Sequence, residues 1–292
     1  MRRSRSPRAT LVAVALVAAS AAWRAAAEER IRVRRDPGGA IEELRLEDYV
    51  AGVVAGELPP SFPAEAQKAQ AVAARSYALT RKLEAQLAGR DWDIGAGVLA
   101  QVYRGAVGPA ARAAAQATAG EVLVLGMEPV EAYFHAVCCG QTESGLAALG
   151  KDLPYLVPVE CGRCEDAPGA HWRLSVAAAE LGKLAGLGGP ADAVRVVART
   201  STGRADRVEV ARGERAAVLA AADLRQRLGF SRLPSLDFEV AAEGRGFAFQ
   251  GRGQGHGAGM CQWCAAAMAR AGKTYKEILA HYYPGTEVVR MY

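Results

Sequence analysis

The stretch GRGQGHGAGMCQ, Gly251 to Gln262, decides how the rest of the chain is read. Glycine falls at 251, 253, 255, 257 and 259, every second position. In an extended segment alternate residues share one face. One face would then carry no side chains, while Arg252, Gln254 and His256 point the other way. Bare backbone admits another chain segment closely, and glycine also tolerates positive φ. Two phosphate-binding readings fail. A P-loop closes on Lys-Ser or Lys-Thr, and neither follows here. A GxGxxG fingerprint begun at Gly253 and Gly255 needs glycine at 258, where Ala258 stands. Periodicity alone gives a glycine-rich loop that turns into a helix.

Outward from that stretch, Phe247 to Gln250 reads as the strand that feeds it. Met260 to Ala271 reads as the helix that follows, with Gly272 as its C′ residue. Thr274 and Glu277 form a capping box for a last helix, ended by Pro284-Gly285. Upstream, Arg173 to Ala241 alternates helix and strand signals. Ala177–Ala185 and Ala216–Leu228 read as amphipathic helices. Val194–Thr200, Asp206–Val210 and Leu236–Val240 read as strands.

The N-terminal half carries the other long signal, LRLEDYVAGVVAGELPPSFPAEAQKAQAVAARSYAL, Leu44 to Leu79. Leu46, Tyr49, Val50, Val53 and Val54 recur at helical spacing. Gly56 reads as the C′ residue of that helix, and Pro59-Pro60 forbid its continuation. A second helix starts near Pro63, with a buried stripe of Ala69, Val72, Ser76, Leu79, Leu83 and Leu87. Glu57 is left at the junction, beside Leu58, Pro59 and Phe62. The negative end of the first helix and the apolar surroundings both disfavour its charge, so its pKa should rise. A carboxylic acid so raised can serve as a general acid near neutral pH. A solvated glutamate in a helix–helix turn is the other reading. Ile31–Val33, Glu121–Leu125 and Val130–Phe134 read as strands, and Ala110–Thr118 as an alanine-rich helix.

Met1 to Ala27 reads as a secretory signal. Arg2, Arg3, Arg5 and Arg8 form a basic start, Leu11–Ala22 an apolar run, and Ala25-Ala26-Ala27 a small-residue cleavage site. The alternative is a retained membrane anchor; either way the rest lies outside the cytoplasm, periplasmic or wall-associated. Those 27 residues hold five arginines and no acid, which leaves 31 basic against 31 acidic residues. A neutral mature chain gives no electrostatic footprint for nucleic acid or an anionic membrane. The helix and strand signals give an α+β class, mixed helices and short strands in one large domain over 28–292, with 173–241 as a candidate α/β subdomain.

Several stretches together resemble the SpoIID/LytB family. They are LEDYVAGVVAGELPPSFPAEAQKAQAVAARSYAL, QVYRG at Gln101–Gly105, the FH…CGxT pattern from Phe134, GQGHGAGMCQW, and AHYYPGTEV. The resemblance implies a lytic transglycosylase acting on peptidoglycan glycan strands held in a groove, with Glu57 as its catalytic residue. Glu57 would protonate the oxygen between N-acetylmuramic acid and N-acetylglucosamine. It would then take the proton of the muramic 6-hydroxyl as that attacks C1, leaving a 1,6-anhydro end. Arg75, Gln101, Tyr133, His135, Thr142, His256 and Gln262 stand in family motifs as saccharide-binding candidates. Ser76 and Tyr77 stand there too, with packing of the second helix as their simpler role. His256 is expected to line the groove or tie down the loop rather than catalyse. Glycan strands, and other cell-wall hydrolases, are the implied partners.

Six cysteines occur, Cys138, Cys139, Cys161, Cys164, Cys261 and Cys264. In an exported chain an even count suits disulfides, while two C-x-x-C units suit zinc. The resemblance implies Cys138, Cys161, Cys164 and Cys261 as ligands of a structural zinc. Cys139 and Cys264 stand where relatives carry glycine and are departures. Three other readings are weighed: a noncatalytic wall-binding scaffold, a zinc-dependent amidase, and a Cys–His nucleophile.

Overall fold

The computed structural model describes residues 29–35, 39–97, 100–162 and 164–292. The secretory signal and the cleavage point expected before Glu28 lie outside them. Among the described residues no helix is long and apolar enough to cross a membrane. The α+β class expected from the sequence is present, in two compact units. One runs to Ala132 and includes the C-terminal Thr286–Tyr292; the other is Tyr133–Gly285.

In the first unit, Arg30–Arg34 and Ile41–Arg45 pair antiparallel, and the chain passes directly into the helix Leu46–Glu57. Leu46, Tyr49, Val50, Val53 and Val54 are buried as their spacing predicts. Gly56 is a correction: it lies inside this helix, which caps at Leu58 when its N–H returns to the Val54 carbonyl at 3.0 Å. Its glycine has a different cause. A Cβ on Gly56 would sit 2.1 Å from the Val102 carbonyl oxygen, and one on Gly52 would sit 2.3 Å from the Tyr103 ring. Residues four apart share a helix face, so Gly52 and Gly56 make a bare track along which Val102–Arg104 lies. The Arg104 N–H donates to the Gly52 carbonyl at 3.1 Å. Gly→Ala inside a helix ordinarily stabilises by roughly 1 kcal/mol. Here Gly56→Ala is expected to destabilise by roughly 1–3 kcal/mol, the cost of overpacking against backbone. Urea unfolding checks the sign, and a stabilised variant would contradict this packing.

The second helix, Ala64–Leu87, buries Ala69, Val72 and Ser76. Leu83 and Leu87 depart from the expected stripe, at 48% and 90% exposure. At 1.5 Å per residue the helix is roughly 36 Å long, and it outruns the short strands it packs on. Glu121–Leu125 is sandwiched between Glu287–Arg290 and Glu128–Pro129. The strand expected over Val130–Phe134 shrinks to Phe134–His135, in the second unit.

The second unit holds two three-stranded antiparallel sheets. His171–Ala177, Gly246–Arg252 and Asp237–Glu243 form one; Ala193–Arg199, Ala205–Arg212 and Arg215–Ala220 form the other. Val208, Val210, Leu224, Phe238, Phe247 and Phe249 belong to their shared core. The helix expected over Ala216–Leu228 begins only at Ala221, because Arg215–Ala220 pairs with the neighbouring strand instead.

The glycine stretch is not extended past Arg252. Gly253, Gly255, Gly257 and Gly259 have φ of +83°, +111°, +91° and +68°. The alternation therefore records repeated left-handed backbone, which L side chains rarely adopt. Close approach adds to it: a Cβ on Gly259 would lie 2.0 Å from the Tyr133 carbonyl oxygen. The stretch is laced to Tyr133–Val137 by reciprocal bonds between Gln254 and Val137 of 2.8 and 3.0 Å. It ends as Met260–Cys261, parallel to Phe134–His135, and enters the helix Gln262–Arg270. The Thr274–Glu277 capping box is present on Tyr275–Tyr282.

Candidate functional site

Glu57 is the last residue of the first helix and keeps part of its side chain accessible. Its Oε1 accepts the Val102 N–H at 2.6 Å. The Gly52–Gly56 track makes that bond attainable, because it lets the QVYRG segment close on the helix. A backbone N–H on a carboxylate favours its charged form, while the helix end opposes it. The two influences act on one group from opposite directions.

Gln101 sits next along the chain and is buried. It accepts the Tyr49 hydroxyl at 3.0 Å and donates to the Ala74 carbonyl at 3.3 Å. Burial pushes the Tyr49 phenol well up, so it stays a donor. Tyr49 also stacks on Tyr103 at 5.4 Å between centroids. Gln101 thus fixes the segment that carries Val102. Arg75 lies elsewhere in this unit, with its side chain 0% exposed. It grips Glu47 with Nε and Nη2 at 2.9 and 2.5 Å and donates to the carbonyls of Glu121 and Ala115 at 2.9 and 3.2 Å. Those donors are turned inward, which makes Arg75 an internal tie with no surface to offer a sugar. Ser76 likewise bonds inward, donating to the Val72 carbonyl and accepting the Leu123 N–H at 2.7 and 2.8 Å.

The second unit brings Tyr133, His135 and His256 together. The His256 ring lies 5.9 Å from that of Tyr133 and 5.7 Å from that of His135. Tyr133 and His256 are half-buried, and Lys151 Nζ lies over the Tyr133 ring at 5.5 Å. His135 is buried, with Nδ1 at 3.1 Å from the Ala258 carbonyl. Thr142 is fully buried and accepts the Val159 N–H at 2.8 Å. Gln262 is buried at the first turn of its helix.

His256 accepts the Ala258 N–H on Nδ1 at 3.1 Å. Burial pushes its imidazole down to about 3, with the nearby His135 and Arg225 adding to the effect. A histidine held below its unfolded pKa of roughly 6.5 leaves the unfolded state to take up the proton first as pH falls. Stability is intact above about 6.5 and lost from there down to about 3, at most about 1.4 kcal/mol per pH unit. Between pH 7 and 5 the wild type should therefore lose about 2 kcal/mol more than His256→Gln, measured by urea unfolding. Equal losses would contradict an imidazole held neutral at His256.

The sulfurs of Cys138, Cys164, Cys261 and Cys264 all lie within 4.8 Å of one another, and all four are buried. All six cysteines are free thiols. Three of the six sulfur–sulfur separations are 3.5 Å (Cys138–Cys164), 3.8 Å (Cys138–Cys264) and 3.8 Å (Cys164–Cys261). Zinc with about 2.3 Å bonds to sulfur would require edges of about 3.8 Å. Cys261 is the N-cap residue of Gln262–Arg270 and Cys264 lies in its first turn. The Cys139 N–H donates to Cys164 Sγ at 3.3 Å. The group differs from the expected one in a single member. Cys264 joins it, while Cys161 Sγ is 2.7 Å from the Tyr282 hydroxyl. Cys139 Sγ points to the Ala170 carbonyl at 3.3 Å.

Sequence reasoning gave no role to Arg204, Glu143 and the second tyrosine of HYYPG. Arg204 donates to the carbonyls of Gln141 and Cys138 at 2.6 and 3.3 Å, which fixes the cysteine loop. Buried Glu143 accepts the hydroxyls of Thr200 and Thr202 at 2.6 and 2.5 Å. Tyr283 donates to the Tyr133 carbonyl at 2.7 Å. Only the tyrosine had a signal, a large aromatic at a helix end before Pro284-Gly285.

A family model described as stage II sporulation protein matches residues 34–125, and a model of a domain of unknown function matches 180–259. The chain is 34% identical over 255 residues to an uncharacterized protein of Brachyspira hyodysenteriae, covering 85% of this chain and 68% of that one. It is 32% identical over 275 residues to stage II sporulation protein D of Bacillus subtilis, covering 88% and 78%. It is 26% identical over 288 residues to an amidase enhancer of Bacillus subtilis, covering 80% of this chain but 39% of that protein.

Proposed function

The chain belongs to the stage II sporulation protein D family, and on that footing we propose that it is an exported lytic transglycosylase of peptidoglycan, with Glu57 as its acid and base. The observation that carries this reading is the Glu57 carboxylate, accessible at a helix end and aimed by the Val102 N–H at 2.6 Å. In the first step Glu57 gives its proton to the oxygen linking muramic acid to glucosamine, and the bond from that oxygen to muramic C1 breaks, so that the glucosamine leaves with a 4-hydroxyl. The Val102 N–H then supports the carboxylate so formed. In the second step that carboxylate takes the proton of the muramic 6-hydroxyl as the oxygen attacks C1. The proton count closes, and no water is consumed.

One carboxylate suffices for this sequence, whereas ordinary glycosidases set two about 5–9.5 Å apart. The other acids of the same helix, Glu47 and Asp48, are spent on Arg75 and Arg45. At 1.5 Å per residue they stand roughly 14 Å from Glu57. Within the second unit, Tyr133 and His256 are the residues expected to bind saccharide that keep accessible surface. Gln101 acts through Val102.

The four-sulfur group supports a structural zinc held by Cys138, Cys164, Cys261 and Cys264. Zinc there would brace the glycine stretch, the Cys138 loop and the Cys164 turn against one another. Four thiolates fill the coordination shell of zinc, so this group does not favour an amidase, which needs an open position. The likeness to an amidase enhancer keeps one alternative, a wall-binding protein without its own chemistry. Incubating purified glycan strands with the protein separates the two: 1,6-anhydro ends support the enzyme, and bound but uncut strands support the scaffold.

A further inference from the structure

A cavity of about 350 Å³ lies in the first unit, lined by Tyr77, Arg81, Arg90, Trp92, Asp93 and the chain around Gly95. That is the size range of small-molecule sites. Ala96 and Ala100 also line it, and Ala96 bridges to Gln101, the residue before Val102. The cavity is therefore continuous along the chain with the segment that touches Glu57.

Its charges are not equivalent. Asp93 is spent on Arg32, at 2.6 and 3.1 Å. Arg81 is spent on Glu84 and Glu131, both at 2.5 Å. Arg90 differs. Its guanidinium packs on the Trp92 ring at 4.8 Å, and its Nε is buried without a hydrogen-bond partner. Arg34 lies over the same indole at 3.9 Å. Among the described residues no carboxylate pairs with Arg34 or Arg90. A buried donor without an acceptor is costly and rare. The Nε side of a guanidinium is half of the fork that grips a carboxylate with two parallel bonds.

We propose that this cavity is a carboxylate-recognising subsite, in which Arg90 holds an acidic group borne by the sugar presented to Glu57. The proposal rests on the glycan-cleaving reading above. Two parts of the polymer carry that chemistry: the lactyl carboxylate of a bare muramic residue, and the carboxylate of an attached peptide.

The test is binding by the intact folded protein, measured by calorimetry or ligand-observed NMR. The probes are N-acetylmuramic acid, its lactyl methyl ester, and muramyl dipeptide. At least one acid should bind about tenfold tighter than the ester, the scale of one charge-assisted contact. Arg90→Gln should erase that difference, and Arg90→Lys should restore part of it. Preference for the muramic acid names the lactyl group as the source, and preference for the dipeptide names the peptide. Ester and acids bound equally by the wild type would overturn the proposal, as would discrimination retained in Arg90→Gln. If Arg90→Gln fails to fold, the wild-type comparison alone decides. Strands cut without discrimination would reject the subsite and keep the enzyme; discrimination without cutting would do the reverse.

Discussion

Glu57→Gln is expected to reduce release of 1,6-anhydro ends to background, while the protein stays folded and still binds glycan strands. The amide is nearly isosteric and keeps an oxygen for the Val102 N–H, which now reaches Glu57 at 2.6 Å. What it loses is a proton that can be given and taken back. Proton transfer of this kind contributes roughly a hundred- to ten-thousandfold, and here both steps run through one group. Products and thermal unfolding are to be read from the same preparation. Full activity in a folded Glu57→Gln protein would remove Glu57 from the mechanism.

The second large effect is expected at the sulfurs. Purified protein should carry about one zinc per chain on thiolate ligands. Cys164→Ser and Cys264→Ser should each release it and destabilise the second unit by several kcal/mol, given that structural zinc supplies about 10–16 kcal/mol in small zinc peptides. Cys161→Ser should keep the metal, since Cys161 stands outside the four-sulfur group and faces Tyr282. Metal content by mass spectrometry and chelator-dependent unfolding check this. A metal-free chain with three disulfides, or zinc lost from Cys161→Ser but kept in Cys264→Ser, would contradict the assignment.

Local signals carried much of the fold. The hydrophobic spacing of Leu46–Val54, the double proline after Glu57 and the Thr274–Glu277 box each act within one turn, so a single sequence holds them. Features set by distant partners were not legible. Gly56 looks like a helix terminator, yet its cause is Val102, which lies beyond the whole second helix. Arg215–Ala220 is apolar enough for a helix or a strand, and only pairing with Ala205–Arg212 decides.

The same limit holds at the site. Glu57 stands out at a helix junction, and the alternating glycines stand out as unusual backbone. That Arg75 is an internal tie depends on Glu47, Ala115 and Glu121, which come from three other segments. That Cys264 replaces Cys161 depends on which turn of Gln262–Arg270 faces the Cys138 loop. Leu83 and Leu87 continue a correct period past the end of the surface it serves.

The central claim is that the 6-hydroxyl, not water, attacks C1. Cleavage of purified glycan strands in H₂¹⁸O, followed by mass spectrometry of the fragments, tests it most directly. The account predicts new ends that carry no ¹⁸O and have the mass of a 1,6-anhydro sugar. New reducing ends that carry ¹⁸O would contradict it.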